Sequence, residues 1–301
     1  MSEFHIVVVT YNSGEYLEAF LDSVHLASSQ PVPVTVSDND SRDGSIDRIE
    51  GRQGVTVLRN RANLGYGAAA NRGAAGITEP WIVIANPDVR MTPGSLDDLL
   101  DASRRWPDAG VLGPSILTPD GALYPSARLL PSLRRGVGHA TLGWVWPSNP
   151  WSKAYRNDRG APREGVVGWL SGSFMVIRRE AFESVGGFDE DYFMYFEDVD
   201  LCDRLGRAGW SSVYVPSARV LHAGGHSTTK DRRSADLMAR THHRSAYRYL
   251  SRRYSGPARA PMRWAVGAGL AGRYALSKVV GRVSHTPVPT RNVPESTDGG
   301  A

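Results

Sequence analysis

Three unbroken apolar runs stand out early in the chain: "HIVVV" at 5–9, "VPVTV" at 32–36 and "WIVIA" at 81–85. Runs this short and this continuous fit strands buried on both faces. Each run stops at polar, turn-prone residues, "TYN", "SDND" and "NPD" respectively. Between the first two, Tyr16, Phe20, Val24 and Ala27 recur at helical spacing behind Ser13, a candidate N-cap. Strands alternating with helices predict a parallel sheet with crossover helices. In such open sheets ligands gather beyond the carboxyl ends of the strands, where all three polar triplets fall.

Further on, "PGSLDDLLDASRRW" predicts a helix within 90–108, and "GVLGPSIL" a strand in an otherwise Pro/Gly/Trp-rich, irregular stretch over 110–168. "WLSGSFMVIRREAFESVGGFDE" reads as strand, short helix and turn. From Ser234 the pattern is helical until Gly256-Pro257, a second basic stretch follows, and residues 284–301 have the composition of a disordered tail.

Composition narrows the class. Of 301 residues, 41% are hydrophobic and 22% charged, as in a soluble globular protein. The single Cys202 excludes an internal disulfide or a cysteine zinc cluster and fits a reducing cytosol. The N-terminus lacks the basic and apolar regions of a signal peptide. The tail's longest apolar tract, "WAVGAGLAG" at 264–272, is about half the roughly 20 residues a spanning helix needs. Net charge is +4, yet the residues from Lys230 onward carry fourteen Lys/Arg against four Asp/Glu, which leaves the first 229 at −6. An acidic body with a basic tail, lacking aromatic RNA-stacking motifs, argues against a nucleic-acid partner.

Candidate chemistry sits at the strand ends. Asp88, after Pro87 at the end of a buried run, is suited to a divalent cation bridging diphosphate oxygens; the plainer alternative is a turn residue capping the helix after Pro93. Asp38 follows an apolar run directly and could accept the imide N–H of a pyrimidine, whereas Asp40, Ser41 and Asp43 read as turn formers. "NRANLGYGAAANRG" offers small residues for close backbone approach, with Asn63 and Asn71 as polar handles, but it matches neither a Walker loop nor a dinucleotide fingerprint. In "YFMYFEDVDLCDR" (192–204), Asp200 and Asp203 each have an arginine four residues on, Arg204 and Arg207. Glu197 and Asp198 have none, and the preceding aromatics form the partly dry wall that keeps a carboxylate basic, so one of this pair is read as functional. His222 and His226 end a further apolar segment as candidate metal ligands or ordinary structural histidines.

These stretches, taken in order with "VVVTYNSGEYLEAFLDSV", "SDNDSRDGS", "IANPDV" and "VLH", resemble the inverting GT-A glycosyltransferases of family 2, and within them the bacterial rhamnosyltransferases, over roughly residues 4–255. The resemblance implies an α/β, GT-A (Rossmann-like), mostly parallel sheet flanked by helices with a basic C-terminal helical extension. Residues 1–229 would form the catalytic domain, its nucleotide-sugar half about 1–110 and its acceptor half about 111–229, and 230–283 a basic amphipathic extension. Thr10, Tyr11, Asn12 and Asp38 would line the nucleoside pocket, and Asn63, Gly65 and Tyr66 the ribose and diphosphate. Asn86-Pro87-Asp88 stands where the family often has Asp-x-Asp, leaving Asp88 with His222 to hold Mg or Mn. Asp198 matches the base, while Glu197 with Trp169, Ser171 and Gly172 would face the acceptor. The implied reaction transfers L-rhamnose from dTDP-L-rhamnose, with inversion, to a polyprenyl-diphosphate-linked N-acetylglucosamine of the cell wall. Another sugar and acceptor, or a non-catalytic sugar-nucleotide-binding scaffold, remain as alternatives, and a homodimer is left open.

The tail has two readings of its own. Arg240, Arg244, Arg248 and Arg252 make one stripe of a helix, with Ala239, His243, Ala246, Leu250 and Tyr254 on the other side. Such a helix either packs on the catalytic domain or lies on a membrane. A lipid acceptor favours the second reading and a peripheral position on the inner, cytoplasmic face of the plasma membrane.

Overall fold

The computed structural model describes residues 2–132, 162–224 and 232–283. His226 and the expected disordered tail from residue 284 lie outside them. The predicted strands are β1 (Phe4–Thr10), β2 (Val34–Asp38), β4 (Trp81–Ala85) and β6 (Ala109–Leu117). Sequence reading missed β3 (Val55–Arg59), which pairs parallel with β2 at the sheet edge and has only half-buried and exposed positions rather than a buried apolar run. The main sheet runs β3-β2-β1-β4-β11-β6-β12-β5, where β5 is Val89–Met91, β11 Phe174–Arg178 and β12 Ser211–His222, with β7 (Leu123–Tyr124) paired to β6 and β9 (Gly165–Val167) to β12.

Helices cover both faces. On one side α1 (Tyr16–Ala27) and α3 (Ser95–Arg105) pack Leu17, Phe20, Leu96 and Leu99 against Ile6, Val8 and Val83. On the other, α2 (Tyr66–Ala74), α4 (Arg179–Ser184) and α5 (Glu197–Arg207) pack Ala69, Phe182, Leu201 and Leu205 against Val7, Ile84 and Ile177. Neighbouring strand residues thus point to opposite cores, which is why these strands read as continuous apolar runs. Ser13 does not cap α1 through its side chain: the N-cap is Glu15, and the Ser13 hydroxyl accepts from Thr10 Oγ1 at 2.7 Å.

Two departures from a simple parallel sheet build the site. β11 is inserted antiparallel between β4 and β6, so its start, Phe174, lies opposite Ala85 and brings the 171–173 turn to the carboxyl end of β4. β12 runs parallel to β6 and antiparallel to β5, with His222 opposite Val89. Asp88 and His222, 134 residues apart, are thereby neighbours.

The helix after β12, α6 (Arg232–Arg253), belongs to the same compact unit as the sheet, while Tyr254 begins a second unit that contains α7 (Ala260–Val283). Tyr249 of α6 is 1% exposed and packs with Tyr192, Val199 and Phe196. Arg248 and Arg252, half of the expected basic stripe, bond Asp189, and Arg253 bonds Asp203. Of the two readings of this helix, packing on the body describes that half. Among the described residues no helix is long and apolar enough to cross a membrane.

Candidate active site

Parallel register sets Thr10 against Asp38 and Val8 against Ala85, so three strand ends share one rim. The loop after β1 is tied to the loop after β2. Asn12, at φ 49°, accepts from Arg42 N at 2.8 Å and donates its own N–H to Ser41 Oγ at 2.9 Å. Gly14 N donates to Asp43 Oδ2 at 2.7 Å, and Asp43 Oδ1 accepts from Ser45. The turn roles expected for Ser41 and Asp43 are those observed. Asp38 is 3% exposed and accepts from Ser41 N, while Tyr11 is 47% exposed. An unforeseen knot braces this rim: Asn60 Nδ2 donates to Asn39 Oδ1 and to Ser37 Oγ, and Asn39 Nδ2 donates to Gly65 O. Its signal was two asparagines just past strand ends, which composition alone does not separate from turn formers.

Asn63 Oδ1 accepts from Gly65 N, in a loop-internal bond. Gly65, at φ 85°, leads into α2; a Cβ there would lie 2.3 Å from Phe193 O. No other residue fits that close approach. Asn71 is not a ligand handle, since its amide is consumed by Phe188 N and O and by Glu190, tying α2 to the 188–190 turn.

Tyr66 is the hub. Its N–H donates to Phe193 O at 3.0 Å and its hydroxyl to Gly172 O at 2.5 Å. Burial and then the nearby charges of Glu197, Asp198 and Asp88 push the phenol well above its ordinary range. Gly172 N donates to Asp198 Oδ2 at 2.9 Å, and Val199 N to Oδ1 at 2.8 Å. Desolvation raises the Asp198 carboxyl, and those amides together with Arg128 pull it partly back. The result is an oriented carboxylate of increased basicity. Ser171 Oγ bonds Ser173 Oγ at 3.0 Å, and Asn86 N donates to Ser173 O at 2.9 Å, so Asn86 and the Trp169–Ser173 turn stand together.

Glu197, expected to face the acceptor, is only 7% exposed, and its Oε2 has no partner. Burial, reinforced by Asp198, pushes its carboxyl up to about 8. Asp200 and Asp203 do pair with Arg204 and Arg207, each at 2.6 Å, but both acids are buried rather than on the helix surface.

The turn preceding α5 is strained. Tyr195 and Phe196 take φ 67° and 68°, left-handed conformations costing roughly 1–2 kcal/mol each. Helix α6 holds them: His242 meets both rings at 5.5 Å, and Ser245 Oγ donates to Met194 O at 2.9 Å.

Asp88 Oδ1 lies 3.0 Å from His222 Nε2, with the Tyr124 ring 6.5 Å from the imidazole. Asp88 therefore does not act as the helix cap of the alternative reading. A carboxylate beside an imidazole can hold Mn or a similar cation, with positions left for substrate oxygens. Among the described residues no group of three or more His, Cys, Asp or Glu forms a metal cluster.

Comparison with known proteins bears on the family and the fold. A model of glycosyl transferase family 2 matches residues 5–186. The chain is 53% identical to N-acetylglucosaminyl-diphospho-decaprenol L-rhamnosyltransferase of Mycobacterium tuberculosis, over 90% of this chain and 91% of that protein. It is 31% identical to rhamnosyltransferase WbbL of Escherichia coli, over 83% and 93%. Among solved structures, mannosyltransferase PcManGT from Pyrobaculum calidifontis, in complex with GDP-Man and Mn2+, superposes with a TM-score of 0.55 at 16% identity, over 95% of this chain and 76% of that one. That likeness is one of fold.

Proposed function

The chain belongs to glycosyl transferase family 2, and we propose that it transfers L-rhamnose from dTDP-β-L-rhamnose to a polyprenyl-diphospho-N-acetylglucosamine, with inversion. The observation that carries the mechanism is the 171–173 turn, which binds Asp198 through Gly172 N, Tyr66 through Gly172 O and Asn86 through Ser173 O, two residues before the Asp88 that pairs with His222. Thr10, Tyr11, Asn12 and Asp38 would receive the nucleoside at the rim of β1 and β2. Asp198, its two oxygens fixed by the Gly172 and Val199 amides, would take the proton of the acceptor hydroxyl as that oxygen attacks the anomeric carbon. A neutral Glu197 beside it would avoid a second buried anion. Attack from the face opposite the leaving group turns the β-donor into an α-L-rhamnoside in one displacement, with no carboxylate nucleophile. Bound by Asp88 and His222, Mg or Mn would supply charge neutralisation for the departing dTDP.

A lipid-linked acceptor requires the chain to work at a membrane surface. We place it on the cytoplasmic face of the plasma membrane through the second unit, where Arg259, Arg263 and Arg273 accompany Trp264, 79% exposed, and no acid occurs from Tyr254 to Val283. Each cation near an anionic leaflet contributes about 1 kcal/mol.

Purified full-length protein supplied with Mn or Mg should turn over dTDP-rhamnose with this acceptor. EDTA should lower the rate by at least about 100-fold, consistent with the several kcal/mol of a metal's electrostatic contribution, and added metal should restore it. Turnover of a different nucleotide sugar alone would reassign the donor, and indifference to EDTA would remove the cation.

A further inference from the structure

One cation beside the candidate base has no assigned task. Arg128 lies on the two-residue strand β8 (Ala127–Arg128), paired antiparallel with β10 (Trp169–Leu170), with Trp169 opposite Arg128. The ribbon is rigidly set: Gly168 N donates to Arg128 O at 2.9 Å, Ser171 N to Ser126 O at 2.8 Å, and a Cβ on Gly168 would meet Leu130 N at 2.2 Å. The Arg128 side chain is partly buried, its guanidinium carbon 5.7 Å from the centre of the Trp169 ring and its Nε donating to Pro125 O at 2.8 Å. Its two terminal amino groups make no hydrogen bond or ion pair among the described residues.

Other partly buried arginines are engaged: Arg204 by Asp200 and Val185 O, Arg178 by Ala109 O and Pro107 O, Arg253 by Asp203. Arg128 instead presents a planar fork, oriented by Nε and by an aromatic face, on a ribbon whose other strand runs straight into the Ser171–Gly172 turn that binds Asp198. A guanidinium held this way matches the paired oxygens of a phosphate. Charge supports the placement, since Arg128 is close enough to draw the Asp198 carboxyl downward without touching it.

We propose that Arg128 is a diphosphate-binding residue that receives the diphosphate of one substrate next to Asp198. Both substrates of the proposed reaction carry that group, so the inference rests on that reading for the source of the ligand but not for its chemistry.

Calorimetric titration of the full chain with inorganic pyrophosphate and with dTDP, for wild type, Arg128→Ala and Arg128→Lys, tests it without turnover. Losing a charge-assisted, two-pronged contact should weaken pyrophosphate about 10- to 100-fold in Arg128→Ala, with Lys recovering only part. Kinetics then identify the source. For a lipid-diphosphate site, Arg128→Ala lowers the preference for polyprenyl-diphospho-N-acetylglucosamine over an alkyl N-acetylglucosaminide by a similar factor, with dTDP affinity kept. For a donor site, dTDP affinity falls and the preference stays. Wild-type pyrophosphate affinity in a folded Arg128→Ala, as judged by thermal melting, overturns the proposal, as does a variant whose sole change is a shifted pH profile. If the chain transfers no rhamnose at all, the binding arms still decide.

Discussion

Replacing Asp198 by Asn is expected to lower kcat by about 10²- to 10⁴-fold, the span general-base catalysis contributes. Asn keeps the shape but cannot take a proton. Retained dTDP binding would show that the loss is chemical and not structural. The neighbouring Glu197→Gln should behave oppositely: an amide reproduces the protonated acid, so turnover should fall by less than about tenfold. Because burial raises Asp198, the acid limb of the wild-type rate profile should descend through a value above the ordinary aspartate range. Glu197 carries a linked effect on stability. Its folded value, about 8, exceeds its usual 4.5, so folding favours the proton. That contribution is complete below about 4.5 and is lost as pH rises through about 8, and Glu197→Gln should flatten this part of the melting-temperature profile. An equal loss in both variants would contradict the division of roles.

Two truncations should differ sharply. Ending the chain after Arg253 removes only the second unit, so the body should keep its melting transition and its activity on a short-chain, water-soluble acceptor while losing affinity for anionic vesicles. Ending it after residue 231 also removes α6. Losing the burial of Tyr249 alone costs about 3–5 kcal/mol, judged from large aromatic deletions, out of the roughly 5–15 kcal/mol that stabilise a typical domain. Asp189 and Asp203 also lose their arginines, and the strained Tyr195–Phe196 turn loses its brace. The shorter product should lack a cooperative melt and all activity. If it melts like the longer one, α6 is not part of the body; if the longer one still binds vesicles, the lipid-contact surface is not 254–283.

Much of this was legible in the chain itself. Apolar runs ending in polar triplets gave β1, β2 and β4 and put Thr10, Asp38 and Asp88 on one rim, because parallel strands buried on both faces leave that signature. Spacing alone separated Glu197 and Asp198 from Asp200 and Asp203. The pairing of Asp88 with His222 was implied only by family resemblance, since an antiparallel return across 134 residues leaves no local trace. Spacing did not decide at α6, where arginines four apart fitted a helix packed on the catalytic domain as well as one lying on a membrane. Whether such a stripe is exposed depends on Asp189, Asp191 and Asp203, carboxylates some fifty to sixty residues away that no periodicity connects to it. Arg128 was invisible for a related reason, lying on a two-residue strand whose partner β10 is supplied by a distant turn.

The central claim is a single displacement driven by Asp198, and the anomeric configuration of the first product tests it most directly. With dTDP-β-L-rhamnose, polyprenyl-diphospho-N-acetylglucosamine and Mn, proton NMR of the product formed by the full-length chain should show an α-L-rhamnoside alone. A β-L-rhamnoside, or no transfer while dTDP still binds, would contradict the account.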